Sequence, residues 1–278
     1  MAELITDGIM PVCPGPEETR GEMRQNYEVF VEFSFPPHQI RVNMTDAETL
    51  LVEAGRRMVA GEGYALATIN LDHLVKLARD LSFRDIYAAQ DLVCADGNPI
   101  VWLSKLAKKP VSLVPGSDMV LPLAQEAARN GVSIALMGST DEALAAAADA
   151  LRARVPGLEV AACIAPPMGF DPAGPAARAI LEELSASGAK LTYIALGAPK
   201  QEIFAAFGRT VVPDMGFASI GAGLDFLAGR QKRAPKWVRA IAMEWAWRML
   251  SSPRRMVKRY AECAAILPGE AVRAWRQR

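Results

Sequence analysis

At 278 residues with 51 % hydrophobic side chains, the chain can bury a large core, which excludes a wholly disordered polypeptide. Its formal net charge is zero, but the charge is segregated: Gly229–Arg278 holds 13 Lys and Arg against Glu244, Glu262 and Glu270, a local +10, while 18 basic residues face 28 acidic ones in the rest. No uncharged stretch approaches the roughly 18 apolar residues of a membrane span, so the chain is expected to lie on an anionic surface rather than cross one.

Residues 1–26 mix Pro, Gly and charge without periodicity and are expected to form a loose leader. Glu3 and Asp7 precede a Pro-rich stretch, so the basic start and apolar segment of a secretory signal are missing. The cysteines, Cys13, Cys94, Cys163 and Cys263, lie far apart with no C-x-x-C pair, which fits a reducing cytoplasm and argues against a zinc site.

From Glu28 the pattern becomes regular. Glu28–Phe35 reads as a strand and Thr45–Ala60 as a helix with Thr45 as N-cap and Glu48 completing a capping box. Tyr64–Ile69 (strand), Asp72–Asp80 (helix), Leu92–Ala95 (strand), Pro99–Leu106 and Ser117–Asn130 (helices) follow. Val132–Met137, Glu159–Ile164, Leu191–Leu196 and Ala218–Ile220 read as further short strands, with helices at Thr140–Arg154 and Pro175–Ser187 between them. Short apolar strands alternating with amphipathic helices predict an α/β, Rossmann-like domain over residues 27–228 with a largely parallel sheet flanked by helices, followed by a helical appendage at 229–278. Ligands of such sheets sit at the carboxyl ends of the strands.

That rule selects a few loops. His38 and His73 are too few for a metal cluster or a Ser-His-Asp system, and neither G-x-S-x-G nor a P-loop is present. No D-x-D occurs, so a diphosphate would be met by backbone N–H groups, helix N-termini or cations. Gly138-Ser139-Thr140 offers room for a phosphate at a helix start, or simply turns and caps. Gly197-Ala-Pro-Lys200-Gln201 follows a strand and opens a helix at Pro199, leaving Lys200 and Gln201 toward a ligand or in a solvated first turn. Asp96 emerges from an apolar strand before Gly97, as a general base or as an ordinary turn former. Thr68 and Asn70 share a strand face and either hydrogen-bond a sugar or cap the next helix.

Taken in order, these segments resemble the WecG/TagA/CpsF family of glycosyltransferases from about residue 40 to residue 260. The resemblance is carried by Thr68-Ile-Asn70, Ala95-Asp96-Gly97, Gly116-Ser117-Asp118 and Leu196-Gly-Ala-Pro-Lys-Gln-Glu202. Further on come Gly221-Ala-Gly-Leu-Asp225-Phe-Leu-Ala-Gly229, Lys232-Arg-Ala-Pro-Lys-Trp237, Glu244-Trp245, Arg248 and Pro253-Arg-Arg255. It implies an inverting, metal-independent transferase needing no cofactor, which moves a sugar of N-acetylmannosamine type from a UDP donor to a polyprenyl-diphosphate-linked sugar in envelope or exopolysaccharide synthesis. By the same resemblance Asp96 takes the acceptor hydroxyl proton, Thr68 and Asn70 place the reacting groups, and Gln201 contacts the substrate. Gly97, Gly116, Ser117, Asp118, Gly138, Ser139, Gly197, Lys200, Gly221 and Asp225 complete the expected substrate site. The chain departs from the family at Leu113, where an arginine three residues before Gly-Ser-Asp is usual. Either another cation, Lys200 or one from the tail, replaces it, or the donor is handled differently; the rival reading that Leu113 favours is a catalytically impaired, membrane-bound scaffold or regulatory partner in the same pathway.

In the tail, from Pro235 to Leu250, Trp237, Ile241, Trp245 and Met249 form one helical stripe flanked by bases. Tryptophans beside Arg248, Arg254, Arg255 and Arg259 suit an anionic headgroup layer, which predicts a peripheral protein at the inner face of the cell membrane. Packing of the stripe onto the domain or onto a second subunit, as in a homo-oligomer, is the alternative. Nucleic acid is not expected, since no motif for it accompanies the charge, and nor is a dinucleotide, since no G-x-G-x-x-G follows an early strand.

Overall fold

A computed structural model describes residues 30–231, 233–235, 237, 238 and 243–278; the expected leader and the first two residues of the strand expected at Glu28–Phe35 lie outside it. The described chain opens with an antiparallel hairpin, β1 (Glu32–Phe35) and β2 (His38–Arg41). The α/β body follows as α1 (Ala47–Ala60), β3 (Tyr64–Ile69), α2 (Leu71–Arg79), α3 (Leu81–Ala88), β4 (Leu92–Ala95), α4 (Asn98–Leu106) and α5 (Gly116–Arg129). Then come β5 (Ile134–Gly138), α6 (Asp141–Arg154), β6 (Val160–Ile164), α7 (Pro175–Ala186), β7 (Leu191–Ala195), α8 (Lys200–Val211), β8 (Gly216–Ser219) and α9 (Gly223–Leu227). The tail supplies α10 (Glu244–Ser251) and α11 (Pro253–Trp275).

Strands β3–β8 form a six-stranded, all-parallel sheet in the order β4-β3-β8-β7-β5-β6. This is the Rossmann-like α/β architecture expected from the alternation of elements. Helices cover both faces, so the central strands are apolar throughout: every residue of β3 and β5 is buried, and β3 reads Tyr-Ala-Leu-Ala-Thr-Ile without polar alternation. One core, around Leu66, Leu136 and Tyr193, fills one side of the sheet, and another, around Phe204 and Phe217, packs the other.

Several boundaries differ from the sequence reading for local reasons. Asp46, not Thr45, caps α1: its carboxylate accepts from the Thr49 N–H at 2.8 Å, so the box of Thr45 and Glu48 does not form. Asn70 caps α2 by accepting from the His73 N–H at 3.1 Å. Strand β8 spans Gly216–Ser219 rather than Ala218–Ile220 because Gly216 and Phe217 pair with β3 and β7; a Cβ at Gly216 would stand 2.7 Å from a Tyr64 ring carbon, so no apolar side chain marks the start. Helix α3 goes unread because Asp80 ends one helix and caps the next with no break between them, its carboxylate accepting from the Phe83 N–H at 3.2 Å.

Of the tail helix expected over Pro235–Leu250, residues 236 and 239–242 lie outside the described part. Helix α11 does not stand apart from the domain. Cys263 and Ala274 are buried in a cluster with Phe33, Leu74 and Leu103, and Gln277 hydrogen-bonds the backbone N–H and carbonyl of Glu32. The second half of the tail therefore shares a core with the hairpin, α2 and α4. No described helix is long and apolar enough to cross a membrane.

Candidate active site at the carboxyl ends of the strands

Parallel strands align their carboxyl ends along one edge, and the sequence-predicted residues gather there. Thr68 is buried near the end of β3, and the register pairs it with Cys94 and Ile69 with Ala95, so Asn70 and Asp96 leave the sheet side by side. The Asp96 N–H donates to the Ile69 carbonyl at 2.7 Å, which fixes its backbone to β3 while the residue stays half-buried. Gly97 turns directly behind it with φ +109°, a conformation that disfavours any side chain. The carboxylate thus stands on a rigid strand end within reach of solvent.

The N-terminus of α5 closes over this corner. Gly116 is so tightly placed that a Cβ would meet the Ser219 carbonyl and the Thr68 methyl, each at 3.1 Å, which is why a small residue stands there. No side chain caps this 14-residue helix; Pro115 precedes it, and Asp118 in its first turn is exposed. Backbone N–H groups at such a terminus favour an anion.

The other half of the rim is built from β5, β7 and β8. Gly138 has φ +112° and would drive a Cβ to 2.5 Å from the Ala195 carbonyl, so β5 and β7 touch through bare backbone. Ser139 itself has φ +52°, a strained value for a residue with a side chain. Its hydroxyl donates to Asp225 Oδ1 at 2.7 Å, tying this loop to α9. Gly197 and Gly221 also turn with positive φ, at +71° and +57°. Gln201 is 4 % exposed, and its side-chain oxygen accepts from the Gly221 N–H at 3.2 Å. Lys200, on the exposed first position of α8, donates to the Phe170 carbonyl at 2.9 Å and so points away from Asp96's corner toward the loop before α7.

Three residues of the tail reach these two halves. Arg230 donates to the Thr140 hydroxyl at 2.5 Å and Gln231 to Asp225 Oδ2 at 2.8 Å. Arg233 forms an ion pair with Asp118 and lies over the Phe226 ring, 5.7 Å from its centroid. Burial works against the Arg233 charge, but the hydrogen bond to Asp118 and the fields of Asp118, Glu244 and Asp96 outweigh it, so its pKa is raised. These three residues are the ones the sequence reading missed. The sequence reading expects a cation from the tail in place of the usual arginine but does not single out Arg233, although it lies inside the Lys-Arg-Ala-Pro-Lys-Trp segment. Leu113 is exposed on the same approach, so the position of the usual arginine is apolar while a guanidinium reaches α5 from elsewhere.

The expected docking residues separate. Trp237 is 68 % and Trp245 44 % exposed, the latter edge-on to Tyr260 at 6.0 Å. Arg254 is exposed, Arg259 pairs with Asp72 on α2 at 3.2 Å, and the side chains of Arg248 and Arg255 lie outside the described part. Arg259 therefore bridges the tail to the domain.

A half-buried carboxylate on a strand end, a helix N-terminus without a side-chain cap and a guanidinium opposite suit displacement at a carbon bearing a phosphorylated leaving group. The profile of the glycosyl transferase WecG/TagA/CpsF family matches residues 36–278, nearly the whole chain. The protein belongs to that family, and it is a glycosyltransferase with a sugar donor and an acceptor.

Proposed function

We propose that the protein is an inverting transferase that moves a sugar of N-acetylmannosamine type from UDP to a polyprenyl-diphosphate-linked sugar at the cytoplasmic membrane surface. The observation that carries this reading is the corner where Asp96, α5's N-terminus and Arg233 meet. Asp96 takes the proton of the acceptor hydroxyl as its oxygen attacks the anomeric carbon from the face opposite the UDP, which inverts the configuration. The bond to the UDP oxygen breaks, and the negative charge that develops on the diphosphate faces the N–H groups opening α5 and the Arg233 guanidinium. Gly138, Gly197 and Gly221 form a bare-backbone floor for the nucleotide, braced by the Ser139–Asp225 hydrogen bond, while Thr68 and Asn70 support the acceptor side. The absence of any D-x-D supports a route that leaves diphosphate neutralisation to these groups.

Leu113 speaks for a second reading, a catalytically silent scaffold, because the usual cation is missing there. Arg233 answers it by bringing a guanidinium to the same helix start. The exposed Trp237 and Trp245 beside basic residues support docking on an anionic bilayer, where the lipid-linked acceptor would be met.

Mass-spectrometric detection of transfer from a panel of UDP-sugars to prenyl-diphosphate-linked N-acetylglucosamine, with EDTA and with Asp96→Asn in parallel, tests the reading. Transfer that survives EDTA and disappears in the variant is expected. Vesicle binding without transfer from any donor would favour the scaffold.

A further inference from the structure

Directly behind the rim, a group of polar side chains is buried in apolar surroundings. Glu202, in the first turn of α8, is wholly inaccessible, and His73, Tyr87, Gln90 and Gln201 around it are each at least nine-tenths buried. Gln201 Nε2 donates to Glu202 Oε1 at 2.8 Å, while Gln201 Oε1 accepts from the Gly221 N–H at 3.2 Å. Gln90 donates to the Glu202 backbone carbonyl at 3.1 Å. His73 Nδ1 lies 3.0 Å from the Tyr87 hydroxyl, and its Nε2 is 4.0 Å from Glu202 Oε1, beyond hydrogen-bond reach. Glu202 Oε2 has no hydrogen-bond partner among the described residues.

Acidic residues are common in the first turn of a helix because their charge complements the positive end of the helix dipole, and they usually sit there in contact with solvent. Glu202 faces inward instead, and a buried carboxyl with one half unsatisfied destabilises a fold relative to an apolar residue of similar size. Its geometry has one clear consequence. A carboxamide can be turned by 180° with little change in shape, and two partners of opposite sense hold Gln201 one way: the Gly221 N–H needs an oxygen, and Glu202 needs an N–H. Take away the acceptor, and only the Gly221 N–H is left to hold the amide that way round.

We propose that Glu202 is a positioning residue which, through the Gln201 carboxamide, fixes the Gly221 amide and with it the Gly221–Asp225 segment on the nucleotide side of the rim. The catalytic consequence rests on the transferase reading; the structural consequence does not. Burial pushes the Glu202 carboxyl up to about 7 against the lowering effect of the Gln201 hydrogen bond. Lys76 and Asp72 on α2 act on it from farther away with opposite signs, and Tyr87 on α3 and the neutral His73 face it from the helix layer. Ionisation strengthens its hold on the Gln201 N–H, because hydrogen bonds to a charged acceptor are the stronger kind.

The test compares Glu202→Met and Glu202→Gln with the wild-type chain. Hydrogen exchange at Gly221 is expected to be about tenfold faster in Glu202→Met and near the wild-type rate in Glu202→Gln, whose side-chain oxygen can still accept from Gln201. Glu202→Met should melt no lower than the wild type at pH 8, because a buried charge has been removed. With the same proteins, kcat/KM should fall about tenfold in Glu202→Met and recover in Glu202→Gln, which also loses any inflection near pH 7. Unchanged exchange at Gly221 in Glu202→Met overturns the proposal, and so does faster exchange spread evenly through the core strands with a lowered melting temperature. If exchange responds as expected but the wild type transfers no sugar, Glu202's positioning role stands and the transferase reading falls.

Discussion

The strand-end rim and the basic tail handle their polar groups in opposite ways. At the rim, backbone is packed to contact: Gly116 sits against Thr68 and Ser219, and Gly138 against Ala195, so Asp96 and Ser139 are held by structure that has nowhere to move. In the tail, Trp237 and Leu250 stand largely in solvent, while Met256, Cys263 and Ala274 along α11 are buried, the last two in a core shared with the domain. Chemistry at one carbon needs a base placed to within a fraction of an ångström, which close packing supplies. Docking on a surface needs exposed apolar area beside charge, which close packing would hide. Arg230, Gln231 and Arg233 belong to the tail by sequence and to the rim by contact, and so link the two.

The comparison can be broken most sharply at Asp96. Asp96→Asn should lower transfer about 10²- to 10⁴-fold with the fold intact, measured by kcat on the lipid-linked acceptor and circular dichroism, since that is the range general-base catalysis contributes. Retained activity would mean that the rim's rigidity serves something other than proton transfer. Next in size is the packing beneath it: Leu66→Ala in the middle of the fully buried β3 should cost about 2–5 kcal/mol in urea unfolding. Arg233→Leu should then reduce kcat about 10- to 100-fold and leave stability nearly unchanged, since the lost pair with Asp118 is partly exposed. A Trp237→Ser, Trp245→Ser double variant should weaken sedimentation with anionic vesicles about tenfold, while transfer to a short, water-soluble acceptor stays at the wild-type rate. Loss of transfer to that acceptor would show that the tail serves the site directly.

The smallest expected effect is in the pH dependence of stability. Burial holds His73 neutral, with its pKa lowered to about 3 from 6.5, so the stability present above pH 6.5 is lost as pH falls toward 3. Glu202 runs the other way: raised to about 7 from 4.5, it contributes stability fully present below pH 4.5 and lost as pH rises through 7. Between pH 4.5 and 6.5 the two slopes oppose, so unfolding free energy attributable to this pair should change by less than about 1 kcal/mol there. A His73→Phe variant should uncover the Glu202 slope as a steady loss of stability across that interval.

The sequence by itself determined the parallel α/β body, because continuous apolar strands and amphipathic helices carry their periods in local composition. It also marked Asp96, Thr68, Gly138 and Gly221, since strand ends and positive-φ glycines are written in short stretches. Other features were invisible there. Whether Asn70 caps a helix, whether Lys200 turns toward Phe170, and whether Gln201 holds Gly221 depend on which carbonyls and N–H groups arrive from other elements. The same holds for Arg233 meeting Asp118, 115 residues away in the chain. Hydrophobic periodicity is a property of neighbours along the chain, whereas the partner of a polar side chain is set only when the sheet brings distant strand ends together.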